Sequence, residues 1–148
     1  ALGPMKPKFS TAYLDRLFSP SQYMNLVEIS SLLCGSGVYE STKDDYGLTP
    51  HLFLLVESLS WFAQSRRSGA WTYFEVTPHA RQALMFSLLE AEAPAGFAQQ
   101  YSIGMQKWQD EAAMKQLDRW MEEHDVDNNH WLWRLAEAQR ASFLQLII

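Results

Sequence analysis

Asp125, Asp127 and Asn129 stand at alternate positions and offer the first three oxygen donors of a calcium loop. His124 and His130 flank them and could add imidazole nitrogens to a metal shell. The calcium pattern then fails: the position that needs glycine is His130, and the position of the bidentate glutamate is Ala136. The histidine spacing fits no zinc motif either. An Asx-rich turn between two helices, with Asn128 or Asn129 as N-cap, accounts for the segment without a metal.

Other reactive side chains are scattered. Glu90 and Glu92 are two residues apart, so on a helix they cannot share a proton. Glu92 continues the apolar stripe from Met85 to Leu89 and reads as a half-buried structural acid; with a histidine it would be the acid/base of a small hydrolase. His51 and His79 each follow a helix-starting proline, in a first turn whose dipole disfavours positive charge. Cys34 precedes Gly35-Ser-Gly37 at a helix C-terminus, where the dipole raises a thiol pKa, and reads as structural. No phosphate loop, serine elbow or paired-cysteine metal motif occurs. No catalytic, cofactor or metal residue is therefore assigned.

Charge is the stronger signal. From Asp110 to Asp127 seven acids face only Lys115 and Arg119, so this stretch carries the whole net charge of −5. Glu122, Glu123, Asp125 and Asp127 crowd what reads as a helix C-terminal end, where negative charge costs ~0.3–1 kcal/mol per residue. A face kept acidic against that cost is a candidate partner-binding surface: Asp118, Glu122, Glu123, Asp125 and Asp127 would steer a basic protein, and Trp133 would anchor it. A solvated helix with pairs such as Glu111–Lys115 and Arg119–Glu123 is the alternative. A pI near 5.3 disfavours direct nucleic-acid binding, which needs lysine and arginine against phosphates.

The elements that must carry these residues are helical. Ser19-Pro20, Thr49-Pro50 and Thr77-Pro78 share a start signal, a hydroxyl cap followed by proline at the first helical position. They open helices over 20–34, 50–67 and 78–92, and Ser19 with Gln22 fits a capping box. A short helix over 11–18 capped by Ser10 precedes them; helices over 97–108, 111–124 (capped by Asp110) and 130–147 follow. Helix 50–67 carries Leu52, Leu55, Val56, Leu59, Phe62 and Ala63 on one face and Phe53, Leu54 and Trp61 beside it, marking the central helix. Residues 71–76 are rich in β-formers without a partner strand and read as one extended connection. The loop 35–48 is long enough to be functional or mobile.

The stretch Leu89-Glu-Ala-Glu-Ala-Pro-Ala-Gly-Phe-Ala-Gln-Gln-Tyr101 resembles the acidic-helix, glycine-turn, Phe-x-Gln-aromatic motif of a family of small bacterial helical proteins that includes a DNA-mimicking member. It departs where that family has Asn-Asn-Gly-Gly and this chain has Pro94-Ala-Gly96. The resemblance implies that Gly96 and Phe97 are turn and core positions, and that the activity is protein binding through an acidic surface. In general character the chain also resembles the immunity proteins that neutralise secreted toxins.

The expectation is thus an all-α single domain of six or seven helices over 5–148, with Ala1-Leu2-Gly3-Pro4 ahead of Met5 read as the remnant of a cleaved tag. A single cysteine and the absence of a long apolar run place it in the cytoplasm, away from membranes. The expected function is a non-enzymatic inhibitor or immunity-type protein that covers the basic site of a partner, with a DNA mimic and a Glu92–histidine hydrolase as alternatives.

Overall fold

The computed structural model describes residues 9–19 and 22–147. The expected tag remnant and Pro20 lie outside them. Within them the chain is all-α: α1 (Thr11–Leu17), α2 (Tyr23–Cys34), α3 (Pro50–Ser68), α4 (Ala70–Val76), α5 (His79–Glu92), α6 (Phe97–Lys107), α7 (Glu111–Glu123), α8 (Asp125–Ala138) and α9 (Arg140–Ile147). No helix of the described residues is long and apolar enough to cross a membrane.

Among the described residues there are nine helices where six or seven were expected, for two physical reasons. Residues 71–76 are helical in α4, not extended, because Gly69 turns the chain at φ +98° and the helix then buries Ala70, Tyr73 and Phe74. Burying two aromatic rings outweighs the fraction of a kcal/mol by which their type disfavours helix, each being worth ~1.5–3 kcal/mol. The last helix starts earlier than 130 and breaks at Gln139. Asp125 to Asn129 form no Asx turn; they are the first turn of α8, where the dipole favours Asp125 and Asp127 and where Asn128 is buried.

The caps divide in the same way. Ser10 and Asp110 accept from the backbone N–H of Tyr13 and Ala113 at 3.1 and 3.0 Å, as their sequence context requires. Helix α2 begins at Tyr23, and Gln22 in the cap position makes no side-chain cap bond; the Ser19-Pro20 start itself runs into residues outside those described. Pro50 does open α3, but the Thr49 side chain makes no cap bond. Thr77 serves the preceding helix instead: its hydroxyl donates to the Tyr73 carbonyl at 2.6 Å, and α5 begins at His79.

Helix α3 is buried along most of its length, from Leu52 through Leu59 and again at Trp61 and Phe62, with only Ala63 of the expected face exposed. It packs against α2, α4, α5, α7 and α8. Trp61 meets Tyr101 edge-on at 5.0 Å and stacks on Trp120 at 6.0 Å, while Phe97 packs against Phe62, Trp120 and Trp131. Such offset and edge-to-face pairs add specificity to simple burial. Helices α4 and α6 approach so closely at Gly104 that a Cβ there would overlap the Phe74 ring.

One acid lies inside this core. Glu57 is 1% exposed and accepts from the Tyr46 hydroxyl at 2.8 Å. Tyr46 adopts φ +57° to reach it, and Gly47 follows at φ +73° with its N–H donated to Asp45 Oδ1 at 2.8 Å. Arg81 reaches across from α5, sits 4.2 Å from the Tyr46 ring centre and donates to the carbonyls of Ser41, Lys43 and Asp44. The long loop is therefore tied to α3 by the Tyr46 side chain and to α5 by its own backbone carbonyls. Burial raises the Glu57 carboxyl above its ordinary value, opposed by the Tyr46 hydroxyl and then by the Arg81 charge.

Two outcomes follow. Gly104→Ala should lower the unfolding free energy from urea melts by about 1–3 kcal/mol through overpacking, and Phe74→Leu in the same chain should recover part of the loss; an unchanged midpoint would contradict the close approach. A carboxyl raised by folding contributes stability in full below its unfolded value near 4.5, and that contribution is lost as pH rises through its higher folded value. The melting-temperature gap between Glu57→Gln and the parent protein should therefore move in favour of glutamine between about pH 4 and about pH 8.

Candidate functional site

The sequence-predicted acids meet at a corner. Helix α7 ends and α8 begins at a single residue, His124, whose backbone N–H donates to the Trp120 carbonyl at 3.0 Å and whose ring lies 5.2 Å from that indole. Its Nδ1 lies 2.9 Å from the same carbonyl. Glu122 and Glu123 occupy the last turn of α7 and are exposed; Asp125 and Asp127 occupy the first turn of α8. The dipole thus opposes the two glutamates and favours the two aspartates, so only half of the expected electrostatic conflict exists.

The acids are not equivalent. Asp118 is half-buried, and its Oδ1 accepts from the Ala70 backbone N–H at 2.7 Å, capping α4. Asp125 lies 3.7 Å from the Arg66 guanidinium. The expected Glu111–Lys115 pair forms at 3.2 Å, but Arg119–Glu123 does not. Among the described residues no cation lies within ion-pair distance of Glu122, Glu123 or Asp127. Trp133 is only 5% exposed and edges a shallow groove with His130, Arg134 and Glu137, so it offers no protruding anchor. The apolar side chain that does protrude at the corner is Val126, 66% exposed. Tyr23, at the start of α2, is close enough to Asp125 that its phenol is raised by burial and then by that carboxylate, and the neighbouring Met24 is exposed.

The other chemical candidates are placed as follows. Glu92 is exposed, not half-buried, and lies 3.3 Å from His51, joining the last turn of α5 to the first turn of α3 in open solvent. No group of three or more His, Cys, Asp or Glu side chains among the described residues is arranged to hold a metal ion. The Cys34 thiol is half-buried and raised mainly by burial.

Sequence reasoning missed a second feature. Trp71 on α4 and Trp108 at the end of α6 line an open groove of about 450 Å³ with Gln109, Glu111, Met114, Lys115 and Asp118. Reading 71–76 as extended concealed it, and Trp71 and Trp108 are 37 residues apart, so no local signal joins them. Gly69 makes the junction possible: the point a Cβ would occupy is 3.1 Å from Trp71 Nε1 and 3.9 Å from Asp118 Oδ2.

No family model, curated protein or solved structure matches the chain.

Because the buried Ala70 N–H depends on Asp118, Asp118→Ala should cost about 1–2 kcal/mol in a urea melt, whereas Asp118→Asn keeps an acceptor and should cost less. Equal losses would show that the bond contributes little.

Proposed function

We propose that this protein is a non-enzymatic interaction protein whose α7–α8 corner covers a basic site on a protein partner, as an inhibitor or immunity-type protein would. One observation carries the reading. Glu122 and Glu123 stand on the last turn of α7, against the helix dipole and without an ion-pair partner among the described residues, beside a corner that also exposes Asp127 and Val126. A helix shaped by stability alone would carry lysine there. Uncompensated charge chiefly speeds and orients encounter with an opposite charge, and Val126 provides apolar area that water would leave on contact. Asp118 and Asp125 contribute to the field while each is held by a partner within the fold.

The double variant Glu122→Lys with Glu123→Lys separates function from folding. Lysines complement the dipole at that end, so the melting temperature should hold or rise, while recovery of a basic partner from the native host should be lost. With the recovered partner purified, its association rate should fall steeply with added salt for the parent chain. Undiminished capture by the lysine variant would refute the proposed face.

A further inference from the structure

We propose that the Trp71–Trp108 groove is a receptor for an arginine side chain of the partner. The inference rests on the reading above, in which the acidic edge of α7 meets a basic protein. Trp71 remains 43% exposed although its helix is well packed, and it shares the groove with a second indole and the buried Met114. Indole faces attract cations through their negative π-surfaces, most strongly where water is partly excluded. The groove also has its own carboxylates: Glu111 at its rim and Asp118, whose Oδ1 is engaged by Ala70 while Oδ2 is directed toward the same Gly69 edge as the Trp71 indole nitrogen. Lys115 is the single cation of the lining, held at 3.2 Å by Glu111 and highly exposed, so it can be displaced into solvent. With Lys115 on Glu111 one carboxylate of the lining, Asp118, has no cation opposite it among the described residues, and with Lys115 displaced both carboxylates are open to an arginine beside the two indoles.

Arginine fits this setting better than lysine. A planar guanidinium can lie flat on an indole and still present N–H groups in its plane to a carboxylate, whereas an ammonium is a point charge that surrenders more hydration. By helical period Glu111, Lys115, Asp118 and Glu122 share one flank of α7, so the groove and the acidic corner are continuous along a single helix. The corner would attract the partner, and the groove would take one basic side chain and fix its register.

The test uses the full chain labelled with nitrogen-15 and follows its six indole N–H resonances. The probes are N-acetyl-arginine amide and its neutral isostere, N-acetyl-citrulline amide. Saturable shifts confined to Trp71 and Trp108 are expected with the arginine probe, and binding roughly tenfold weaker with citrulline, with lysine amide between them. Glu111→Gln should weaken the arginine probe and flatten its salt dependence; Trp71→Ala should abolish its binding. Equal responses to arginine and citrulline, saturable shifts at other indoles, or shifts of Trp71 and Trp108 that follow protein concentration without probe would each overturn the proposal, the last in favour of a second copy in the groove. Because the isostere contrast is read on the unaltered chain, it does not depend on any variant folding. Arginine binding without loss of capture by Glu122→Lys/Glu123→Lys would sink the corner and keep the groove; the reverse result would sink the groove alone.

Discussion

A hydrogen bond from the Ala70 backbone N–H to Asp118 Oδ1 ties together parts of the chain 48 residues apart. On one side of it α3 stops and α4 starts after a single glycine; on the other lies the middle of α7. A helix that begins without a local cap leaves backbone donors unpaired, and Ala70 is fully buried, so water cannot supply the acceptor. Asp118 does. Gly69 has no side chain to obstruct the approach and takes a φ of +98° that other residues resist. This one contact orients α4 against α7, carries Tyr73 and Phe74 into the core and sets Trp71 at the surface beside the acidic helix.

The molecule treats charge in two opposite ways. Inside, Glu57 receives the Tyr46 hydroxyl and lies within the field of Arg81; the loop between α2 and α3 is bent to provide Tyr46 and the carbonyls that hold Arg81 of α5. A buried carboxylate without such partners would cost several kcal/mol. Outside, at the α7–α8 corner, no cation among the described residues lies within ion-pair distance of Glu122, Glu123 or Asp127. Water makes that tolerable, since ion pairing at an exposed site is worth only about 0–1 kcal/mol. Compensation is thus spent where desolvation demands it, and the surface keeps a field that a partner can use.

Local signals were legible where the chemistry is local. Ser10 and Asp110 cap the helices they precede and Pro50 opens α3; the turn at Gly96, φ +95°, ahead of buried Phe97 is what the short-motif resemblance implied. The apolar period of 50–67 marked the most buried helix residue by residue except Ala63, but Glu57 drew no notice within it, although one acid inside so apolar a run was itself a sign of a buried polar contact. Reading failed where a residue had two uses. Thr77 could cap forward or close backward, and it closes α4. Asp125 to Asn129 could form a turn or a first helical turn, and the burial of Asn128 and Trp131 favours the helix.

From the sequence alone came the all-helical class, most helix centres and the concentration of negative charge in 110–127, because periodicity, caps and net charge are properties of neighbouring residues. Tertiary structure decided that Asp118 is a cap, that Asp125 faces Arg66, that Trp133 is buried while Trp71 is exposed, and that Glu122, Glu123 and Asp127 pair with no cation among the described residues. Those outcomes depend on which distant helix arrives opposite each side chain. No window of sequence contains that information, since burial and partner are fixed only when α3, α4, α7 and α8 pack together.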